Sequence, residues 1–282
     1  MGLLTLMARR FVAGKTADSA MAAVRKLNAR KICTTLDILG EDVTERAEAT
    51  RAADDYIALL DRIAQEGVEA NVSLKLTMMG LEIDKPFCLD NVHRVVATAA
   101  KHGNFVRVDM EGSPVTQATL DTVRELFKAN RNVGAVIQSY LYRSADDVKV
   151  LNAAGIKVRL CKGAYREPRE VAFQDKRDVN TNYSKLMQLL LKDGTDPAIA
   201  THDTKLINEC KQLVARNGMR KDQFEFQMLY GIRSALQRTL AGDGYRVRCY
   251  VPFGTHWLPY FMRRLRERRA NVLFVLRNLF RR

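Results

Sequence analysis

Phe105-Val106-Arg107-Val108-Asp109 is followed by a helical pattern from Thr116 to Ala129, and then by Val133-Gly134-Ala135-Val136-Ile137-Gln138. The two outer runs are short and rich in β-branched residues. Between them, Leu120, Val123, Leu126 and Phe127 recur at three- and four-residue steps, which puts apolar side chains on one face of a helix. Strand, helix and strand in this order make a crossover unit with parallel strands and a covering helix.

The same unit repeats in both directions along the chain. Upstream lie Ile32-Cys33-Thr34-Thr35-Leu36 and Asn71-Val72-Ser73-Leu74-Lys75-Leu76, separated by a helical stretch from Thr44 to Glu66 with Tyr56, Leu59, Leu60 and Ile63 on one face. Downstream come Ile156-Lys157-Val158-Arg159-Leu160 and Ala198-Ile199-Ala200-Thr201-His202. Phe224-Glu225-Phe226-Gln227-Met228-Leu229 and Val247-Arg248-Cys249-Tyr250-Val251 complete the set. Eight such runs in 282 residues predict an α/β chain folded as a single-domain (β/α)8 TIM barrel. An open doubly wound sheet is the alternative, but no G-x-G-x-x-G follows the first strand. No Gly/Pro-rich linker divides the chain. The expected organisation is a helical segment at 1–30, a barrel at 31–271 and an apolar, basic tail at 272–282.

Hydrophobic residues make up 47% and charged residues 28%, the balance of a soluble globular protein. No run reaches the about 18 apolar residues of a membrane span. Leu3, Leu4, Leu6 and Met7 precede Arg9 and Arg10, the reverse of a secretory signal, and Ala13-Gly14-Lys15-Thr16 is not the apolar run a twin-arginine signal needs. The five cysteines contain no C-x-x-C pair, which suits neither zinc nor a disulfide framework and fits a reducing cytoplasm. Lys and Arg total 46 against 32 acidic residues, a net charge of +14. Nucleic acid, an anionic membrane and anionic substrates could each explain that excess. It is spread along the chain and thickens only after Arg263, with no zinc-finger spacing, RNA-recognition signature or basic zipper. A nucleic-acid partner is therefore not expected.

Catalytic groups of such barrels come from the C-terminal strand ends and the loops after them. Those ends carry Lys75, Asp109, Gln138, Arg159 with Lys162, Thr201 with His202, and Tyr250. One charged residue at a strand end usually faces water; repetition around a rim points to a site. In Arg159-Leu160-Cys161-Lys162-Gly163-Ala164-Tyr165, the small residues let the backbone approach a large ligand and Lys162 adds positive charge, which suits a phosphate-bearing cofactor. From Thr255 to Ala270, Leu258, Phe261, Met262 and Leu265 form an apolar face expected to pack on the barrel. Tyr260, Arg263, Arg264 and Glu267 repeat the same spacing on the other side. They read either as a solvated face, its Arg–Glu pair contributing about 0.3–0.5 kcal/mol, or as a clamp whose forked arginines match a carboxylate.

Taken together, these segments resemble the proline dehydrogenase family. Tyr250-Val251-Pro252-Phe253-Gly254 followed by Tyr260-Phe261-Met262-Arg263-Arg264-Leu265-Arg266-Glu267 is similar to the family's closing motif, Y-x-P-x-G and then Y-x-x-R-R-x-x-E. Arg159 to Tyr165 is similar to its R-L-x-K-G-A-Y stretch, and Ser73-Leu74-Lys75-Leu76 to its S-x-K-L strand. Val108-Asp109-Met110-Glu111, Ile137-Gln138-Ser139-Tyr140-Leu141, Ala200-Thr201-His202-Asp203 and Phe226-Gln227-Met228-Leu229-Tyr230-Gly231 also fit. The matches keep the family's order from about Leu36 to Asn271.

The resemblance implies a distorted barrel, bound FAD, oxidation of L-proline to 1-pyrroline-5-carboxylate and a membrane quinone as electron acceptor. It implies that Lys75, Arg263 and Arg264 bind the proline carboxylate, while Tyr165, Leu229, Tyr250 and Tyr260 wall the ring. Arg159 would sit by the flavin and stabilise charge on its reduced form, with Asp109 orienting the site's cations. Met110, Gln138, Lys162, Gly163, Ala164, Thr201 and His202 would hold FAD; no metal is expected. The amine must lose a proton on or before oxidation, and no side chain is an obvious base. A separate pyrroline-5-carboxylate dehydrogenase is the expected downstream enzyme, because the chain carries only the barrel. The expected location is the cytoplasm, with the tail read either as a packing helix or as a peripheral contact at the inner face of the membrane. The rival enzyme reading is a barrel acting on another small amino or imino acid, with Trp257 and Leu229 reshaping the pocket.

Overall fold

The computed structural model describes residues 10–266, with side chains as far as Met262 in the last helix. Eight strands are described: β1 (Cys33–Ile38), β2 (Ala70–Leu74), β3 (Val106–Val108), β4 (Val133–Gln138), β5 (Val158–Cys161), β6 (Ala198–Ala200), β7 (Glu225–Leu229) and β8 (Arg246–Phe253). Each pairs in parallel with the next, and β8 returns to β1 to close the barrel. The closed single-domain barrel expected from the repeated crossover unit is the fold observed.

Helix α1 (Ala17–Asn28) precedes the barrel. The strands are followed in turn by α2 (Arg46–Glu66), α3 (Lys85–Lys101), α4 (Ser113–Ala129), α5 (Ser144–Ala153), α6 (Lys176–Asp193), α7 (Thr204–Arg216), α8 (Ser234–Gly242) and α9 (Trp257–Arg266). Successive side chains on a strand point to opposite faces, and here the two faces differ in chemistry. Leu36, Val72, Leu74, Val106, Val108, Leu160 and Phe226 join one apolar cluster with helix residues such as Tyr56, Leu60, Val92, Leu126 and Tyr183. Their neighbours Asp37, Ser73, Arg107, Arg159, Glu225 and Gln227 are buried as well, but they are polar.

Burial of those polar side chains requires partners, and the strand backbone beside them is held from the helices. Tyr56 of α2 is fully buried; its hydroxyl donates to the Ser73 carbonyl at 2.7 Å and accepts from the Ile38 amide at 3.1 Å. It pins β1 to β2 just where both deliver side chains to the barrel mouth.

The N-terminal stretch is laced to the same end. The Ala13 amide donates to the Pro252 carbonyl and the Gly254 amide to the Gly14 carbonyl, each at 2.9 Å. Gly231 has φ +72°, and a Cβ there would lie 1.6 Å from the Arg10 carbonyl oxygen, so no other residue fits. Phe11 and Val12 thereby pack with Leu39, Ile232, Tyr260 and Phe261 in a small cluster beside the mouth.

Element edges differ from the sequence expectation in two informative places. Strands β3 and β6 have three residues each, so Asp109, Thr201 and His202 stand just beyond the ladder. Strand β1 continues past Leu36 because Asp37 and Ile38 pair with Pro252 and Phe253 of β8. Helix α9 corrects a third expectation. Leu258 and Met262 are exposed at 50% and 39%, whereas Tyr260 is buried and Phe261 fully so. The apolar periodicity marks a helix, but the cluster with Phe11 and Leu39 draws in the Tyr260–Phe261 side. Leu265, Arg263 and Arg264 lie on this helix with their side chains outside the described part, while Glu267 and the tail at 272–282 lie outside the described residues.

Candidate active site

Asp109 follows β3 and is the hub of the mouth. One carboxylate oxygen accepts from the Ser73 hydroxyl and from the Arg159 guanidinium, both at 2.7 Å. The other accepts from the Tyr250 hydroxyl at 2.7 Å. Charge-assisted bonds of this kind are the strong ones. Burial and the adjacent carboxylate push the Tyr250 phenol well above its ordinary range, so it stays a donor. The Arg159 guanidinium also lies over the Tyr250 ring at 5.3 Å and donates through Nε to Gln227. Groups on β2, β7 and β8 and just after β3 therefore hold Arg159 in one orientation.

Lys75 follows β2 on the adjoining side. Its ammonium donates to Asp37 of β1 at 3.1 Å, with the lysine side chain 8% exposed. Burial alone would strip its proton, but the carboxylates of Asp37 and Asp109 outweigh that and push its pKa up.

The turn after β5 faces the other half of the mouth. Lys162 pairs with Asp203 at 3.0 Å. Burial opposes ionisation of that carboxylate, yet Lys162 holds it below its usual range. Gly163 has φ +115°, and the Tyr140 ring lies 2.6 Å from where a Cβ would stand, so the backbone itself faces the mouth. Gln138 at the end of β4 donates to the Glu111 carbonyl at 2.9 Å. His202 accepts at Nε2 from the Leu229 amide at 2.8 Å, which assigns the proton of the neutral ring to Nδ1.

These groups surround a cavity of about 550 Å³, a size typical of small-molecule and cofactor sites. Lys75, Asp109, Met110, Gln138, Arg159, Lys162, Gly163, Ala164, Tyr165, Thr201, His202, Leu229, Tyr250 and Tyr260 all line it. The structure thus brings together every residue to which the resemblance gave a role except Arg263 and Arg264, whose side chains are not described; Glu267 lies outside the described residues, and Trp257 does not line this cavity. A second cavity of about 790 Å³ opens between the β1–α2 loop, α2 and α9, and shares Lys75 and Tyr260 with the first.

Sequence reasoning missed Asp37, Gln227 as the partner of Arg159, and Lys176 on the cavity wall. An aspartate directly after the β-prone run that ends at Leu36 was the available signal for Asp37. Arg159 and Gln227 stand 68 residues apart, and no local pattern announces their bond. Among the described residues, no group of three or more His, Cys, Asp and Glu side chains is placed to hold a metal, and no helix is long and apolar enough to cross a membrane.

The arrangement can do three things. Cations at Lys75 and Arg159 can receive anionic groups. The apolar lining of Met110, Val136, Ala200, Met228 and Leu229 can take a flat ring system. Lys162, Lys176 and the backbone at Gly163 and Ala164 can receive phosphates, so the donor set fits a nucleotide cofactor.

Known proteins share this organisation. The sequence signature of the family described as proline dehydrogenase matches residues 20–277. The chain is 42% identical to proline dehydrogenase 1 of Bacillus subtilis over 274 residues, covering 97% of this chain and 91% of that one. It is 43% identical to proline dehydrogenase of Deinococcus radiodurans over 279 residues, covering 97% and 90%. Among solved structures, proline utilization A (PutA) of Bdellovibrio bacteriovorus inactivated by N-propargylglycine superposes with a TM-score of 0.87 at 28% identity. That match covers 93% of this chain and 32% of the other, so the chain spans about a third of the PutA polypeptide. A barrel of this topology, a rim of this composition and a family match over most of its length lead to one conclusion: the chain belongs to the proline dehydrogenase family.

Proposed function

We propose that the chain oxidises L-proline to 1-pyrroline-5-carboxylate using bound FAD and passes the electrons to a membrane quinone. The observation that carries this reading is the convergence of Lys75, Asp109, Arg159 and Tyr250 on one cavity that also has a cationic, small-residue turn at Lys162–Ala164. FAD, when bound, supplies a two-electron acceptor.

The side chains supply the rest. Lys75, with Arg263 and Arg264 from α9, binds the substrate carboxylate through charge-assisted hydrogen bonds. Tyr165, Leu229, Tyr250 and Tyr260 enclose the ring and exclude water from it. Arg159 places fixed positive charge where negative charge accumulates during oxidation. Met110, Gln138, Lys162, Gly163, Ala164, Thr201 and His202 hold the cofactor. Asp109 already accepts three hydrogen bonds of the about four a carboxylate can take. Its role is therefore orientation of Arg159 and Tyr250, and the amine loses its proton to bulk water before the ring is enclosed.

Purified protein is expected to be yellow, with a flavin spectrum that L-proline bleaches anaerobically and that a soluble quinone restores. Colourless protein that gains no flavin on incubation with FAD would overturn the reading. Bleaching only by a different amine would move the substrate assignment to another imino acid.

A further inference from the structure

Asp37 is the second buried carboxylate of the barrel mouth and has no part in the roles above. It lies on β1 with 1% exposure, and one oxygen accepts from the Lys75 ammonium at 3.1 Å. Its other oxygen is buried beside the Tyr56 and Tyr250 hydroxyls, whose protons go to the Ser73 carbonyl and to Asp109, so it accepts no hydrogen bond of good geometry among the described residues. A buried carboxylate oxygen left in that state is costly, so the arrangement needs a reason. Asp37 lines neither cavity, whereas Lys75 lines both. A ligand in the mouth can therefore touch Lys75 but not Asp37.

We propose that Asp37 is a positioning residue for substrate binding: it holds Lys75 as a cation at the mouth, aimed to receive the substrate carboxylate. This rests on the reading of Lys75 as a carboxylate ligand. Among the described residues, the charged and titratable groups that act most on Lys75 are Asp37 from β1, Asp109 and Glu111 after β3, and Tyr165 after β5, and Glu41 shares the second cavity with it. Asp109 is committed to Ser73, Arg159 and Tyr250, and Glu111 to the amide and hydroxyl of Thr77 at 3.1 and 2.5 Å. Around Asp37 itself stand Lys75, Tyr56 of α2, Tyr250 of β8 and Asp109. Among the hydrogen bonds of the described residues, Lys75 donates to the Asp37 carboxylate, and removal of that carboxylate leaves a buried amine that burial drives toward the neutral form.

The test is Asp37→Asn, Lys75→Met and the double variant, with kcat and KM for L-proline measured across neutral to alkaline pH. Asp37→Asn is expected to raise KM roughly 10- to 100-fold at the alkaline end with little change in kcat. KM should recover toward wild type as the pH falls and Lys75 is reprotonated. In the double variant, KM should match that of Lys75→Met alone. Should the asparagine protein not fold, Asp37→Ser, which also lacks the charge, is measured in its place. A wild-type KM and pH profile in the Asp37 variant, or effects that multiply in the double variant, would overturn the positioning role. An unchanged KM in Lys75→Met would overturn the assignment of Lys75, and this proposal with it.

Discussion

Arg107 and Asp109 stand two residues apart beside β3, Glu225 and Gln227 on β7, and Arg248 and Tyr250 on β8, so the same strands furnish two polar layers inside the barrel. In the lower layer, Glu225 accepts from Arg248 Nε at 3.0 Å to each oxygen and from Gln227. Arg248 donates onward to the Thr34 carbonyl at 2.7 Å, and Arg107 donates to the carbonyls of Ala135 and Lys157 at 3.1 and 2.6 Å. In the upper layer, Asp109, Arg159, Tyr250 and Lys75 are paired just as closely, but they face a cavity. Both layers contain buried arginines and carboxylates. Charge burial alone therefore does not mark a site; unfilled space beside the charges does. Gln227 joins the layers by accepting from Arg159 above and donating to Glu225 below.

The comparison can be broken most forcefully from below. Glu225→Ala removes the carboxylate that Arg248 and Gln227 share in a layer away from the cavity, and breaking a buried pair this way costs about 3–5 kcal/mol. Urea unfolding should show that loss, while KM for proline in the folded fraction stays near wild type. A large KM change with wild-type stability would mean that the lower layer belongs to the site.

From above the pattern should invert. Asp109→Asn keeps the side chain's shape but releases Arg159 and Tyr250 from a charged acceptor. A fall in kcat/KM of roughly 100- to 1000-fold is expected, the scale seen when preorganised polar groups are lost. The stability loss should be smaller than for Glu225→Ala, because groups facing a cavity can be rehydrated. Urea unfolding and steady-state kinetics on one preparation check both parts.

The finest distinction is in acid. Burial works to raise the Glu225 pKa, but Arg248 wins and holds it below the ordinary glutamate value. A carboxylate with a depressed folded-state pKa stabilises the fold above its unfolded value of about 4.3, and that contribution is lost as pH falls through the folded value. Wild type should therefore lose stability on acidification below about pH 5 more steeply than Glu225→Gln does. Parallel curves of unfolding free energy against pH would remove Glu225 from the acid response.

The barrel was legible because its repeating unit is local: each apolar helix face and each short strand can be read within a dozen or so residues. Rim residues such as Asp109, Gln138 and Tyr250 were legible for a related reason, since a polar residue ending a β-prone run stands at the mouth once the barrel closes. What escaped depends on pairing across the chain. Asp37 lies just past the β-prone run that ends at Leu36, and pairing with Ser73 of β2 and Pro252 of β8 keeps it in the strand. Arg107 and Arg248 sit inside strand-like runs, yet nothing nearby announces that they support a paired layer below the cavity. Helix α9 was placed correctly along the chain and Phe261 is buried as its periodicity predicts, but Leu258 and Met262 of the same expected face are exposed. Which of its sides is covered depends on Phe11 and Val12 from the opposite end of the molecule.

That last contact carries a consequence for synthesis. The stretch at Arg10–Gly14 is held by Pro252, Gly254 and Gly231, so the first part of the described chain to leave the ribosome finds its seat only after β8 has emerged. Loop closure between such distant segments is slow. The mouth of the barrel is therefore among the last parts of the protein to be completed, and a nascent chain halted before β8 would have walls without an entrance.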